Sequence, residues 1–240
     1  MPISFITIDV AGATNTDAHG INASGQIVGD YSDSRGTQGF LLSGGTITTL
    51  NDPTSLSHST FATSINGSGQ IVGYDRPGAW QGFLDDGGTY TNINAPGGGW
   101  TFLEGINDSG QIVGYTYPGS TPLTLPYVTS FVYSGGSFTS IRDPQEVPPT
   151  QRPSNPRGTF AQGINNAGQV VGYYSGTLGA IHGFLYSAGT YTTLDDPLGA
   201  GGTYATGINN VGQIVGYFID VNGGIWRHGS IASLPDHLFG

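Results

Sequence analysis

Five polar side chains occupy one recurring position in this 240-residue chain, just ahead of a small residue and Ile: His19, Thr63, Glu104, Gln162 and Thr206. Their neighbours hardly vary, so the chemistry changes where the frame does not. Glu104 is one of only two glutamates in the chain, and His19 is the other titratable member of the set. A carboxylate and an imidazole move protons well near neutral pH. Placed at one cavity they would support lyase, isomerase or hydrolase chemistry, with Glu104 as acid or base and His19 as its partner. Glycoside hydrolysis asks for a pair of carboxylates, and this position supplies one. Thr63, Gln162 and Thr206 add hydroxyl and amide groups that bind polar ligands without reacting. The plainer reading is that relaxed repeats drift wherever water reaches them.

A second set of residues suits recognition. Trp80, Trp100, Tyr117 and Arg76 fall in segments that differ from repeat to repeat. Aromatic faces beside carboxylates and amides suit sugars, whose C–H patches stack while their hydroxyls hydrogen-bond. Tyr31, Tyr74, Tyr115, Tyr127, Tyr173, Tyr174 and Tyr217 lie in the same segments, among Asp30, Asp33, Asp75 and Asp220. The Tyr after Val-Gly recurs in most copies, which fits packing between units better than a site. Arg35, Arg76, Arg152 and Arg157 are placed to grip a carboxylate, although scattered Arg side chains are usually just solvated. His58, His182, His228 and His237 have no metal-ligand spacing, Cys is absent, and no phosphate-binding loop or metalloprotease motif occurs. No metal and no cofactor is expected.

The elements that position these residues come from a repeat. Asn22-Ala-Ser-Gly-Gln-Ile-Val-Gly29 returns at Asn66, Asn107, Asn165 and Asn209, at separations of 44, 41, 58 and 44 residues. In the fourth copy four strands can be drawn: A from Thr159 to Asn165, B from Gln169 to Tyr174, C from His182 to Tyr186 and D from Thr190 to Leu194. Asn-x-x-Gly between A and B suits a type I turn closed by a left-handed Gly, and Gly-Gly between C and D suits a primed hairpin turn. The unit is therefore an antiparallel meander. Strand B is apolar at both parities, so its sheet must be covered on both faces. Radial stacking of the sheets covers both faces, and a period in the 40s fits four strands per sheet.

The expectation is an all-β protein: a single domain over 1–240, folded as a five-bladed β-propeller with four antiparallel strands per blade. The repeats run over about 17–59, 60–100, 101–158, 159–202 and 203–240. Phe5-Ile-Thr-Ile-Asp9 reads like a further strand D, comparable with Tyr191-Thr-Thr-Leu-Asp195. A strand over 4–10 would then pair with the last blade, Gly223 to Leu234, and close the ring. Strand order puts the short, uniform A–B and C–D turns at one end of each blade. The variable B–C and D–A links, including the Pro-rich 143–158 with 121–126, lie at the other end and form the recognition surface. With strand A innermost, the five polar positions ring the channel mouth at that end.

The Ala-x-Gly-Ile-Asn, Gly-Gln-Ile-Val-Gly and His182-Gly183-Phe184 phrases resemble the HAF-type extracellular repeat family of bacteria. The other copies of the triplet read Gln38-Gly39-Phe40, Gln81-Gly82-Phe83, Thr129-Ser130-Phe131 and Gly223-Gly224-Ile225. The resemblance implies a secreted or cell-surface setting and no single activity. No signal peptide is visible at the start, and no apolar run reaches the roughly 20 residues that span a bilayer.

Composition narrows the partners. The net charge is −10, every one of the six basic residues is Arg, and only 9% of residues are charged. A nucleic-acid partner needs a clustered basic surface, which this chain lacks. The expected partner is a carbohydrate or small polar ligand, bound by a monomer without membrane insertion. Three functions compete: a lectin-like binding module, an enzyme built on Glu104 and His19, and a structural extracellular repeat protein.

Overall fold

The structure is a computed structural model, and it describes residues 6–53, 59–97, 99–118, 127–146, 157–219 and 226–233. Nineteen strands and one 3-10 turn (Thr177–Gly179) make up its regular structure. The first repeat contains β1 (Asn15–Ile21), β2 (Ile27–Asp33), β3 (Gly36–Ser43) and β4 (Thr46–Leu50). The second contains β5 (Thr60–Ile65), β6 (Ile71–Asp75), β7 (Gln81–Asp86) and β8 (Thr89–Ile93). The third contains β9 (Trp100–Ile106), β10 (Ile112–Tyr117), β11 (Tyr127–Ser134) and β12 (Ser137–Ile141). The fourth contains β13 (Arg157–Ile164), β14 (Val170–Ser175), β15 (Ile181–Ser187) and β16 (Thr190–Leu194), and the fifth β17 (Gly202–Ile208), β18 (Gln213–Ile219) and β19 (Trp226–Ser233).

Each repeat is an antiparallel meander in chain order, as the turn chemistry requires. The chain divides into two compact units, residues 1–94 with the first two repeats and 95–240 with the last three. Inside each unit, strand C of one repeat touches strand A of the next in parallel: Thr37 beside Ser59 in the first unit, and Tyr127 and Val128 beside Arg157 and Gly158 in the second.

The core lies between sheets. In the first unit Val28 and Leu50 of one repeat pack on Ala62, Ile65 and Ile71 of the next. In the second, Val113 and Ile141 meet Ala161, Ile164 and Tyr174, while Val171 and Leu185 meet Ala205 and Ile214. Strand B is buried through both parities: in the fourth repeat Val170 packs toward the third repeat and Val171 toward the fifth, because a sheet sandwiched between neighbours has no wet face.

The turns match their sequence signals. Gly25, Gly69, Gly110, Gly168 and Gly212 all have φ between 72° and 85°, the left-handed region where only Gly carries no penalty. In the C–D turn of the fourth repeat Ala188 takes the place of the first Gly and is held at φ 48°.

Two expectations need correction. Residues 6–10 of the proposed closing strand form no strand; the Ala13 amide donates to the Val10 carbonyl at 3.0 Å and turns the chain away. Residues 4 and 5 lie outside the described residues. The fifth copy of the triplet was placed at 223–225, which also lies outside them. Strand register instead sets Tyr217 against His228 and Gly216 against Gly229, so Arg227-His228-Gly229 holds that place.

Candidate functional site

Every strand A carries a β-bulge, and the bulged residue is in each case the variable polar one. Pairing slips between Ala18 and Gly20, Ala62 and Ser64, Ala161 and Gly163, and Ala205 and Gly207. It also skips from Leu103 to Gly105 opposite Val113 and Gly114. A bulge adds one unpaired residue and re-aims its side chain. The cause lies across the ladder, in the Gly of Ile-Val-Gly. A Cβ on Gly73 would stand 1.9 Å from the Phe61 carbonyl oxygen, and on Gly172 1.9 Å from that of Phe160. Only Gly admits strand A that close.

The small residue after each bulge lets adjoining A strands approach. A Cβ on Gly20 would lie 3.0 Å from Ser64 Cα, and one on Gly163 3.2 Å from Gly207 Cα. The structure thus brings His19 beside Thr63 in the first unit, and Glu104, Gln162 and Thr206 into one row in the second. Thr63 Oγ1 donates to the Val72 carbonyl at 3.1 Å, and Thr206 Oγ1 to that of Val215 at 3.4 Å. Gln162 Nε2 donates to the Ala161 carbonyl at 3.4 Å.

His19 Nε2 lies 2.6 Å from Oδ1 of Asp30, whose side chain is 9% exposed against 41% for the imidazole. The first repeat owes this pair to a local break in the pattern. Four repeats place an aromatic pair across A and B, one residue before the bulge's Ala or Leu: Phe61–Tyr74, Phe102–Tyr115, Phe160–Tyr173 and Tyr204–Tyr217 are all stacked at 4.6–5.2 Å. The first repeat has Asp17 opposite Asp30. The signal was present in the sequence as Val-Gly-Asp in place of Val-Gly-Tyr, though Asp30 was read only as one loop carboxylate among several.

The recurring tyrosines belong to strands. In the second unit the Tyr115 ring meets Phe160 edge-on at 5.3 Å and Tyr173 meets Tyr204 at 4.8 Å, so the stacks continue from repeat to repeat. Burial pushes the Tyr173 phenol up, with the charges of Tyr217 and Glu104 adding to it. Trp80 is half-buried against Phe61 and Tyr74, with the Arg76 guanidinium 5.5 Å from its ring centre. Trp100, the first residue of β9, stacks on Tyr117, the last of β10, at 5.8 Å.

The opposite end of the repeats is uniform. Each Asn of the repeated phrase donates through Nδ2 to Oε1 of its Gln, at 2.7–2.9 Å in all five copies. The five identical Gln residues are therefore scaffold. Nδ2 also reaches the next Asn carbonyl, from Asn22 to Asn66, Asn107 to Asn165 and Asn165 to Asn209, at 3.0–3.1 Å.

A different network anchors the D–A links. The backbone N–H of Val10, Ala95, Asp143 and Asp196 donates to Oγ1 of Thr16, Thr101, Thr159 and Thr203 at 2.9–3.2 Å. In the third-to-fourth link Thr159 Oγ1 also donates to Oε2 of buried Glu146 at 2.7 Å, and Glu146 is paired with Arg142. The start of this Pro-rich link is held firmly; its remainder lies outside the described residues, as do Arg152, His58 and His237.

Among the described residues no group of three or more His, Asp or Glu is arranged to hold a metal ion, and no helix is long and apolar enough to cross a membrane. No protein-family model matches the chain, and no curated protein matches it in sequence. Among solved structures it is similar to the β-propeller domain of the Trilobed protease from Pyrococcus furiosus, at 10% identity and a TM-score of 0.40, covering 95% of this chain and 98% of that one. It is also similar to the Aleuria aurantia lectin solved with α-methyl-L-fucoside, at 12% identity and a TM-score of 0.43, covering 92% and 79%. A third is a mutant of AofleA from Arthrobotrys oligospora, at 13% identity and a TM-score of 0.46, covering 90% and 72%.

Proposed function

We propose that this chain is a five-bladed β-propeller that binds a carbohydrate or another small polar ligand, lectin-like, through the bulge positions and the variable links beside them. Following the HAF-type resemblance, the protein is secreted or held at the cell surface; it works as a monomer.

One observation carries the binding reading. Five equivalent bulges carry polar side chains of four kinds, His19, Thr63, Glu104, Gln162 and Thr206, on a frame that repeats almost without change. An unpaired bulge residue at the one position free to vary is where a fold of this kind places recognition. The test is a glycan array followed by calorimetry on the wild type, His19→Ala and Glu104→Gln. A bound glycan whose affinity drops at least about tenfold in either variant supports the reading. A wild-type protein that binds no glycan sinks the lectin assignment.

A second reading draws on His19 and Asp30. A buried carboxylate orienting a half-exposed imidazole is a general-base arrangement, and Glu104 would be the acid at the same mouth. In that case Asp30→Asn lowers kcat on a polysaccharide substrate with little change in KM, and an unchanged kcat removes Asp30 from the chemistry.

A further inference from the structure

The third repeat contains a cavity of about 330 Å3, lined among others by Thr116, Phe131, Phe138 and Ser140 and by Pro96 and Gly97 of the preceding link. Its origin can be read by comparing equivalent positions. Thr116 pairs with Thr101 of strand A, as Tyr31 pairs with Thr16 and Tyr174 with Thr159. Ser140 pairs with Phe131, as Thr49 pairs with Phe40 and Thr193 with Phe184. In the first repeat the buried Tyr31 hydroxyl lies 2.9 Å from Thr49 Oγ1. In the fourth the Tyr174 hydroxyl lies 3.3 Å from Thr193 Oγ1 and donates to Gln145 Oε1 at 2.8 Å. Gln145 belongs to the D–A link at the place that Gly97 takes in the third repeat.

Two repeats thus fill this space with their own phenol, hydrogen-bonded to a strand-D hydroxyl. The third shortens the ring to Thr116 and the link side chain to Gly97, while keeping the hydroxyl at Ser140 and the aromatic walls at Phe131 and Phe138. Cavities of about 150 Å3 lined by apolar side chains already hold benzene, so a single ring fits here with room for a substituent.

We propose that this cavity is a binding pocket for a phenol-class ligand, one hydroxylated aromatic ring lying where Tyr31 and Tyr174 lie in their own repeats and bonding Ser140 Oγ. The cavity borders variable links that the proposed function also uses, but none of the five bulge residues lines it, so the His19 and Glu104 variants that test that reading leave this site intact.

The experiment is titration of phenol into the full-length protein, followed through the aromatic NMR signals of Phe131 and Phe138. The expected result is saturable shifts with a millimolar Kd, weaker binding of benzene, and loss of phenol binding in Thr116→Tyr, which rebuilds the plug of the other two repeats. Ser140→Ala, a change at an exposed position that removes one oxygen, should weaken phenol about fivefold, toward benzene. An arm with N-acetyltyrosinamide tells the source: binding as tight as phenol assigns a protein tyrosyl group, and weaker binding assigns free phenols. The proposal is overturned by unsaturable shifts in the wild type, by phenol and benzene binding alike, by Ser140→Ala binding phenol as well as the wild type, or by a methyl pyranoside shifting the same signals more strongly.

Discussion

Replacing Asn165 with Ala removes four hydrogen bonds in one step. Its Oδ1 accepts from the N–H groups of Ala167 at 3.1 Å and Gln169 at 3.0 Å. Its Nδ2 donates to Gln169 Oε1 at 2.7 Å and to the Asn209 carbonyl at 3.1 Å. The residue is 2% exposed, so water cannot readily take the vacated places. At about 1 kcal/mol for each bond the loss is about 4 kcal/mol, set against a total stability of about 5–15 kcal/mol for a typical domain. Gln169→Ala removes one of the same four bonds and should cost about 1–2 kcal/mol. The two changes share that bond, so the double variant should fall short of their sum by about 1 kcal/mol. Urea unfolding reads all three: with a slope near 2 kcal/mol/M, Asn165→Ala lowers the midpoint by about 2 M. A loss under about 1.5 kcal/mol for Asn165→Ala, or equal losses for the two single variants, would refute the assignment of Asn165 as the tie between sheets.

Three further outcomes follow from the same structure. Asn209 is exposed and makes the three bonds within its own turn, where water can replace lost partners, so Asn209→Ala should cost about 1–2 kcal/mol, well below Asn165→Ala; an equal loss in urea unfolding would contradict it. Ala188→Gly relieves a left-handed Ala that costs about 1–2 kcal/mol, partly offset by the greater freedom of Gly when unfolded, so thermal unfolding should show a net gain of about 0.5–1 kcal/mol. Burial pushes the Asp85 carboxyl above its ordinary 3.8, against the opposing hydrogen bonds from Gly88 and Tyr90. A carboxyl raised in the native state favours folding most when protonated and loses that contribution as pH rises through the raised value. Asp85→Asn should therefore stabilise the protein at pH 7 and do little at pH 3, and the reverse order in melts at the two pH values would contradict it.

The sequence disclosed the repeat, the strand order and both turn types because each rests on local chemistry. Asn-x-x-Gly forces a turn wherever it occurs, and the strands of the fourth repeat lie within two residues of where the pattern put them. The bulge was not legible, although its residue was. A break in pairing depends on how near the opposite strand comes, and Gly73 or Gly172 carries that information only once Phe61 and Phe160 are seen against it. The tyrosines after Val-Gly illustrate the same limit. Their recurrence argued for packing, but the ladder they build needed coordinates, and so did the fact that Asp17 and Asp30 replace it in the first repeat. The contact of His19 shows the same limit: composition offered Glu104 as the scarce acid, while strand pairing also brings Asp30 to His19 from eleven residues away.

In four of the five repeats the threonine at the start of strand A fixes where the sheet begins irrespective of how much chain precedes it. Between the anchored N–H and its Thr the separation is six residues in two links and seven in a third, yet sixteen between Asp143 and Thr159. The two ends of that longest loop are pinned as closely as those of the shortest, and lengthening a loop adds only slowly to its closure entropy. Foreign peptides spliced between 147 and 156 should therefore be displayed without disturbing strand register, which makes this link a natural socket for grafted epitopes or reporter domains.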